Sequence, residues 1–401
     1  MKSKVKELII ILVAVLLTAC GKKAVSPDTP YVIEGEVTEI LAGHEIVLVE
    51  YDGFVGNRIA SDTIRNGKFR FEGVMKEPEL NWLSLIVMSN EIPPIPCVVY
   101  VAPGAHIKVT GHDDHVYTWD VESKVPEQRA NQELIEPVKA EWEEYQTLAI
   151  ASRKARDEYY AINRDKEPER EKEAYDRYKG INSQMDSVYD EISAKTIEQM
   201  KKMKPSQPWM RELENMSQSA LADKSYKYTD ELKALFESLP QEIRQSEKGH
   251  EIYSNLFPPT KVKEGDDCPD ADFYDLQGNL HHISAFKGKY ILLDFWSSGC
   301  GPCIASFPEL KEVYERYADR LSIISISTDT DRRWRKASEQ HKITWNNWNE
   351  GKGTGGLYSY FPIVGIPHYV LVNPQGIIEK QIGGYREGMF QTLFTELFDG
   401  K

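Results

Sequence analysis

The pattern of apolar and polar positions changes twice along the chain. From Tyr31 onward, short runs rich in β-branched and aromatic residues are separated by turn residues such as Asn66-Gly67 and Pro103-Gly104. Regularly spaced short strands with such breaks are typical of β-sandwiches and barrels. Residues 31–120 are therefore predicted to form an all-β, sandwich-like domain. The predicted strands are Tyr31–Val37, Glu45–Tyr51, Lys68–Phe71, Trp82–Val87 and Ala105–Thr110.

After residue 120 the apolar positions recur every three to four residues, and this pattern continues as far as Met200. Such spacing places apolar side chains on one face of an α-helix, where they serve helix packing more often than cofactor binding. Residues 121–256 are therefore predicted to be a helical connecting domain without chemistry of its own. The first members of the pattern are Leu134, Val138, Trp142, Tyr145 and Ala149.

The pattern changes again at Phe257-Pro258-Pro259, beyond which predicted strands alternate with helices. Tyr290–Trp296 is typical of a buried strand, and a helix through Tyr317 is predicted after it. This alternation indicates an α/β domain over residues 257–401. Further strands are predicted at Leu321–Ser327, His368–Val372 and Ile377–Ile382, and a last helix at Gly388–Phe398.

The beginning of the chain has the layout of a bacterial export signal. Lysines precede the apolar run Leu8–Leu17, which is shorter than the about 20 residues that a spanning helix needs. Small residues then lead to Cys20 in an arrangement that resembles a lipobox, so residues 1–19 are predicted to be a lipoprotein signal peptide. Cys20 is the predicted lipidation site, and residues 20–30 form a tether. A plain signal peptide is the alternative. Gly21, where an Asp would retain the protein at the inner membrane, favours the outer membrane.

Charge narrows the possible partners. The formal net charge is −14, which argues against nucleic acid as a partner and weakens attraction to anionic lipid surfaces. Membrane attachment would therefore depend on the lipid. The histidines show no metal-ligand spacing, so no metal and no cofactor is predicted. The glycine-rich segment Gly351–Gly356 lacks the spacing of a phosphate-binding loop and is predicted to be a mobile loop.

Five cysteines are present, and among them only Cys300 and Cys303 are close in sequence. A disulfide-stapled scaffold would show many cysteines at scattered spacings, so this pair indicates chemistry. Cys97 lies in an apolar stretch and is expected to be a buried free thiol. Cys268 lies at a predicted turn, where a third redox cysteine is the less favoured alternative.

Cys300 and Cys303 stand where a buried strand passes into a helix. Backbone N–H groups and the helix dipole stabilise a thiolate at such a position. Cys300 is therefore the predicted nucleophile toward a substrate disulfide, and Cys303, one turn later, the predicted resolving thiol. Asp294 lies in the apolar strand before them, where a carboxylate is costly unless it has a purpose or a partner. Proton transfer and an ion pair with a lysine are the two interpretations.

The segment from Asp294 to Cys303, with Pro308 after it, resembles the active-site strand and helix of thioredoxins. The preceding hairpin and the distance to Ile366-Pro367 resemble the TlpA/ResA-type envelope proteins, a group related to the AhpC/TSA peroxidases. Residues 31–120 resemble the domain of unknown function that often precedes such modules in lipoproteins. The resemblance implies a C-terminal α/β thioredoxin-like fold in a multidomain chain.

The same resemblance implies roles for individual residues. Pro367 would be a cis-proline beside the active site, and Asp294 would accept and return the proton of Cys303. Gly299 departs from the family pattern, where a tryptophan stands, and Ser306 departs from the ResA-like pattern, where a glutamate stands. The residues expected to contact substrate are Trp296, Gly301, Pro302 and Ile366.

These residues are compatible with three functions. The favoured one is a periplasmic, lipid-anchored protein disulfide reductase that acts on protein thiols and disulfides and is fed by an inner-membrane electron donor. A peroxiredoxin-like thiol peroxidase is the second, although Ser297-Ser298-Gly299 before Cys300 lacks the expected threonine. The third is a binding or scaffold lipoprotein whose redox domain is secondary.

Overall fold

The computed structural model describes residues 25–52, 55–75, 82–162 and 166–400. The predicted signal peptide and Cys20 lie outside these residues. Within them, no helix is both long enough and apolar enough to cross a membrane. The architecture is an N-terminal β domain, a helical middle region and a C-terminal α/β domain, which confirms the predicted fold class.

The β domain is built from two sheets, with strand orders β4-β1-β7-β8 and β3-β2-β5-β6. Along β1, buried residues alternate with more exposed ones, so Ile33 and Val37 face the core between the sheets. Gly35 faces the same core, and a Cβ atom there would lie 2.0 Å from the ring of Phe69, so only glycine fits. The strands are β1 (Tyr31–Val37), β2 (Glu45–Asp52), β3 (Val55–Thr63), β4 (Lys68–Gly73), β5 (Trp82–Met88), β6 (Cys97–Tyr100), β7 (His106–Gly111) and β8 (Asp120–Glu122).

The helical region has a core of its own around Trp209, whose indole N–H donates to the carbonyl of Met200 at 3.0 Å. Leu213, Leu232 and Ile252 are fully buried in the same core. The two longest helices, α2 and α3, pack along each other. The helices are α1 (Pro126–Ile135), α2 (Lys139–Ala161), α3 (Pro168–Met200), α4 (Gln207–Ala222), α5 (Thr229–Glu237), α6 (Gln241–Arg244) and α7 (Glu247–Leu256).

The C-terminal domain is a mixed sheet in the order β10-β9-β13-β12-β11-β14-β15. Its central strands β11, β12 and β13 are parallel, whereas β14 and β15 run antiparallel to their neighbours. The elements are β9 (Phe273–Tyr274), β10 (Leu280–His281), β11 (Tyr290–Trp296), α8 (Gly301–Tyr317), β12 (Leu321–Ser327), α9 (Asp331–His341), β13 (Asn346–Asn349), β14 (His368–Val372), β15 (Ile378–Gly383) and α10 (Met389–Phe398).

The two faces of β11 are covered by different parts of the domain. Leu292 and Trp296 pack with α8, α9 and α10 in one apolar cluster, whereas Leu293 and Phe295 belong to the cluster on the other face. Successive side chains of a strand point to opposite faces. Asp294 therefore points to the face that α8 covers.

The glycine-rich segment that was predicted to be a mobile loop instead packs against α7 of the helical region. Gly353–Gly355 forms a single 3-10 turn there. A Cβ atom at Gly355 would lie 2.3 Å from the carbonyl oxygen of His250, so the two backbones touch. The glycines thus serve the contact between the helical region and the α/β domain.

Candidate active site

The turn that follows β11 presents Cys300 at the start of α8. Cys300 is the N-cap of this helix, and its sulfur accepts the backbone N–H of Cys303 at 3.1 Å. Pro302 occupies the first turn, where a missing N–H costs nothing because such groups have no partner within the helix. The helix therefore directs an N–H group and its positive end toward the Cys300 sulfur, which favours the thiolate form.

Cys300 and Cys303 form a disulfide, with 5.2 Å between their Cα atoms. The two cysteines differ in access: Cys300 is 9% exposed, whereas Cys303 is completely buried. Gly301 and Pro302 between them are exposed. A large substrate can therefore reach Cys300 and the two residues after it, but not Cys303.

Pro367 lies next to this turn because of strand register. Phe295 of β11 pairs with His368 of β14 in antiparallel fashion, so the next residues outward are Trp296 and Pro367. The Ile366–Pro367 peptide bond is cis. Ile366 is half-buried and packs against both apolar clusters of the domain. The segment before Pro367 thus borders the edge of the sheet where Cys300 lies.

The structure corrects the assignment of Trp296 as a substrate contact. Its side chain is completely buried, packs edge-on against Phe307 and donates its indole N–H to Asn347. Strand alternation directs Trp296 into the core under α8, so it cannot touch a protein substrate. Its packing against Phe307 supports the start of α8, which carries the active-site turn.

Asp294 is completely buried on the same face of the sheet. Its Oδ2 accepts the hydroxyl of Ser325 at 2.7 Å, and its Oδ1 has no hydrogen-bond partner among the described residues. Burial raises the pKa of Asp294 to about 7, and the hydrogen bond from Ser325 opposes that rise. No lysine or arginine of the described residues pairs with it. The contacts of the described residues therefore give no support to the ion-pair interpretation of Asp294.

A polar cluster that the sequence analysis missed fixes the turn before Cys300. The carboxylate of Asp329 accepts the backbone N–H of Ser298 at 2.6 Å, and Arg333 donates to the Ser298 hydroxyl at 2.8 Å. Arg333 also lies 3.6 Å from Asp329. Both charged side chains are nearly buried. The short sequence Ser-Thr-Asp-Thr-Asp, which begins at the last residue of β12, gave only a weak signal, because acidic residues are common in loops.

The remaining cysteines and histidines stay outside the site. Cys97 is buried in the β domain, and burial raises its pKa to about 12. Cys268 is half-buried, and burial likewise raises its pKa to about 12. His281 stacks on Trp348 at 5.0 Å. Among the described residues, no group of three or more metal-binding side chains comes together.

Comparisons with known proteins match this same part of the chain. A family model described as thioredoxin-like covers residues 288–378. The thioredoxin domain of a thiol-disulfide oxidoreductase from Bacteroides vulgatus is 34% identical, and the match covers 34% of this chain and 98% of that one, with a TM-score of 0.31. The chain belongs to the thioredoxin-like family.

Curated relatives show which thioredoxin-like proteins the chain resembles. The thiol-disulfide oxidoreductase ResA of Geobacillus kaustophilus is 39% identical over 81 residues, which are 20% of this chain and 47% of that protein. The thioredoxin-like protein YneN of Bacillus subtilis is 24% identical over 122 residues, or 29% of this chain and 70% of that protein. This thioredoxin-like chain is thus similar to proteins of the ResA type, and its enzyme class is thiol-disulfide oxidoreductase.

Proposed function

We propose that this chain is a protein disulfide reductase that works through the Cys300-Gly301-Pro302-Cys303 motif. The single observation that carries the proposal is the difference in access between the two sulfurs of a disulfide at the start of α8. The more accessible thiolate can attack a substrate, and its fully buried neighbour can then release the substrate.

In the reduced chain, the Cys300 thiolate attacks one sulfur of a substrate disulfide, and the other substrate sulfur leaves as a thiolate. Cys303 then attacks the Cys300 sulfur of the mixed disulfide. This step forms the Cys300–Cys303 bond and releases the second substrate sulfur as a thiolate. Two electrons pass from the chain to the substrate.

Asp294 is the proposed proton acceptor for Cys303. A thiol must lose its proton before it can attack, and Cys303 is shut off from bulk solvent. A buried carboxyl with a pKa of about 7 exchanges a proton readily at neutral pH. Water can connect the two groups. Gly301, Pro302 and Ile366 are the proposed contacts for the substrate chain beside Pro367.

The proposed setting is the bacterial periplasm, with the chain held in the cell envelope by a lipid on Cys20. The basic, apolar and small-residue order of residues 1–20 supports this placement. The relatives named ResA are thiol-disulfide oxidoreductases. An electron donor in the inner membrane would return the chain to its reduced form, and protein disulfides would consume the electrons. The proposed domain limits remain 31–120, 121–256 and 257–401.

The test is the reduction potential of the Cys300/Cys303 couple in the full chain without its signal peptide, measured in glutathione or dithiothreitol buffers. A reductase requires a value near that of thioredoxin, about −270 mV, whereas a value near about −120 mV would make the chain an oxidant. Insulin reduction by the wild type and its loss in Cys300→Ser complete the assay.

The two alternatives give different results in the same set of experiments. A thiol peroxidase would consume hydrogen peroxide faster than it reduces insulin. For a scaffold lipoprotein, Cys300→Ser would rescue the phenotype of a deletion strain as well as the wild type does.

A further inference from the structure

The buried carboxyl of Asp294 is connected to a short chain of hydrogen bonds. Ser325 lies beside it in the parallel register of β11 and β12 and donates to Oδ2 at 2.7 Å. Trp345, which precedes β13, donates its indole N–H to the Ser325 hydroxyl at 2.8 Å. Asp294 and Ser325 are completely buried, and Trp345 is 7% exposed.

The direction of these bonds follows from the chemistry of the three groups. An indole N–H can only donate, so the Ser325 oxygen accepts from Trp345. The Ser325 hydrogen then needs an acceptor, and among the described residues the only one that it meets is Asp294 Oδ2. Oδ2 is therefore an acceptor whether Asp294 is ionised or neutral. Because a carbonyl oxygen is a better acceptor than an acid hydroxyl, this bond favours the neutral acid that carries its proton on Oδ1.

Oδ1 is also the carboxyl oxygen whose hydrogen-bonding capacity is unused. It is buried without a partner among the described residues, on the face of β11 that α8 covers. Tyr369 is the partner of Asp294 in the β11–β14 register, and Cys303 from α8 belongs to the apolar cluster on this same face of β11, together with Leu292 and Trp296. Burial raises the pKa of Tyr369, and the negative charges of Asp294, Tyr385 and Glu309 act in the same direction.

We propose that Ser325 and Trp345 are positioning residues that make Asp294 Oδ1 the oxygen that exchanges protons with Cys303. The inference rests on the proposed function and names the atom and the supporting residues that it needs. In the resolving step, the Cys303 proton passes to Oδ1, directly or through one water, and the thiolate attacks Cys300. When Cys303 is reduced again, Oδ1 returns that proton.

Two substitutions test the arrangement in the full chain. Ser325→Ala removes the donor to the ionised carboxylate, so the ionisation constant of Asp294 should fall about tenfold or more. Trp345→Phe keeps the ring but removes the N–H, which frees the Ser325 hydrogen to turn away. A smaller shift in the same direction is expected. Ser325→Thr retains a hydroxyl and should restore the wild-type value.

The chain offers matched controls for both changes. Ser338 and Trp334 are as deeply buried as Ser325, and both bond to Asn347 and not to Asp294. Ser338→Ala and Trp334→Phe should therefore leave the Asp294 titration in place. If the substitutions acted only by loosening the domain, the control variants would shift the Asp294 titration as much as the test variants do.

The primary readout is the carboxyl titration of Asp294 itself, by infrared difference spectroscopy, with Asp294→Asn identifying the band. The second is the pH profile of mixed-disulfide resolution, which should move with the titration while the alkylation profile of Cys300 stays fixed. An unchanged titration in Ser325→Ala, or in Trp345→Phe if Ser325→Ala does not fold, would overturn the inference. If the wild type does not reduce insulin, but the Asp294 titration shifts as stated in the two variants, the proposed function alone is overturned.

Discussion

Cys300 and Cys303 lie at the accessible and the buried end of one disulfide: Cys300 keeps 9% of its surface and Cys303 keeps none. The order of the two chemical steps follows from this relationship. A substrate sulfur can approach only Cys300, and Cys303 can act only on the bond that Cys300 has formed. Under the proposed mechanism the buried thiol needs an internal proton acceptor, and Asp294, a carboxyl placed in an apolar strand despite its cost, would meet that need.

Alkylation should therefore distinguish the four cysteines that remain after Cys20. In the native oxidised chain at pH 7, iodoacetamide should modify none of them rapidly, because burial raises the pKa of both Cys97 and Cys268 to about 12. After reduction, Cys300 alone should react quickly. Peptide mass spectrometry gives the sites. Rapid modification of native Cys268 would contradict this account and would restore the interpretation of Cys268 as a third redox cysteine.

Asp294→Asn should change the pH dependence of stability in a defined direction. The pKa of Asp294 is about 7 in the folded chain, against an ordinary value of 3.8. The unfolded chain therefore loses the proton first, and stability falls as the pH rises from about 4 to about 7. The full difference is about 4 kcal/mol at pH 8, because each unit of pKa corresponds to about 1.4 kcal/mol.

The variant lacks this penalty, so its unfolding free energy relative to the wild type should improve steadily between pH 4 and pH 8. The amide also places an N–H donor near the buried space at Oδ1, which offsets part of the gain. Urea titrations of both chains at several pH values provide the measurement. A constant difference at all pH values would show that Asp294 is not buried as a neutral acid. The same variant should resolve mixed disulfides more slowly at pH 7.

Asp329→Ala should loosen the turn that carries Cys300. It leaves the backbone N–H of Ser298 without its acceptor and removes the carboxylate that lies 3.6 Å from the nearly buried Arg333. A loss of about 2 to 4 kcal/mol in unfolding free energy is expected, together with a changed alkylation rate of Cys300. Asp331→Ala is the matched control, since Asp331 is exposed and bonds only to Arg335 among the contacts described. Equal effects of the two substitutions would contradict a specific role for Asp329.

The sequence predicted the parts of the molecule that depend on local pattern. The strand Tyr290–Trp296 and the helix through Tyr317 are confirmed in β11 and α8, since an apolar run and a helix start are both local signals. β3 was not predicted because Val55–Thr63 is polar and lies at the edge of its sheet, where no alternation is needed.

The site required register as well as pattern. Ser325 could have been assigned to Asp294 only by aligning β12 with β11 residue by residue, which a single sequence does not fix. The interior position of Trp296 depends on the same alternation that directs Asp294 toward α8. Arg333 contacts Ser298 from α9, at a sequence separation of 35 residues. Such contacts are set by tertiary packing and not by local propensity.

Glu309→Gln should weaken the attachment of the C-terminal helix α10 to the domain, while the cysteines keep their contacts. The buried carboxylate of Glu309 accepts the backbone N–H groups of Phe390 at 2.8 Å and Gln391 at 2.9 Å, at the start of α10, and it also accepts from Gly388 and the Tyr385 hydroxyl. Four donors therefore converge on two oxygens at the positive end of a helix. An amide offers one oxygen and an N–H₂ group that opposes donors, so about 2 to 4 kcal/mol of unfolding free energy should be lost.

The control is Glu312→Gln. Glu312 is exposed and accepts only the side-chain amide of Gln391 among the contacts described, so the expected loss is below about 0.5 kcal/mol. Urea denaturation measures both variants, and the reduction potential of the cysteine couple should stay unchanged in each. A stable Glu309→Gln chain would mean that α10 is held by its apolar face alone, through Phe390 and Phe394 in the core.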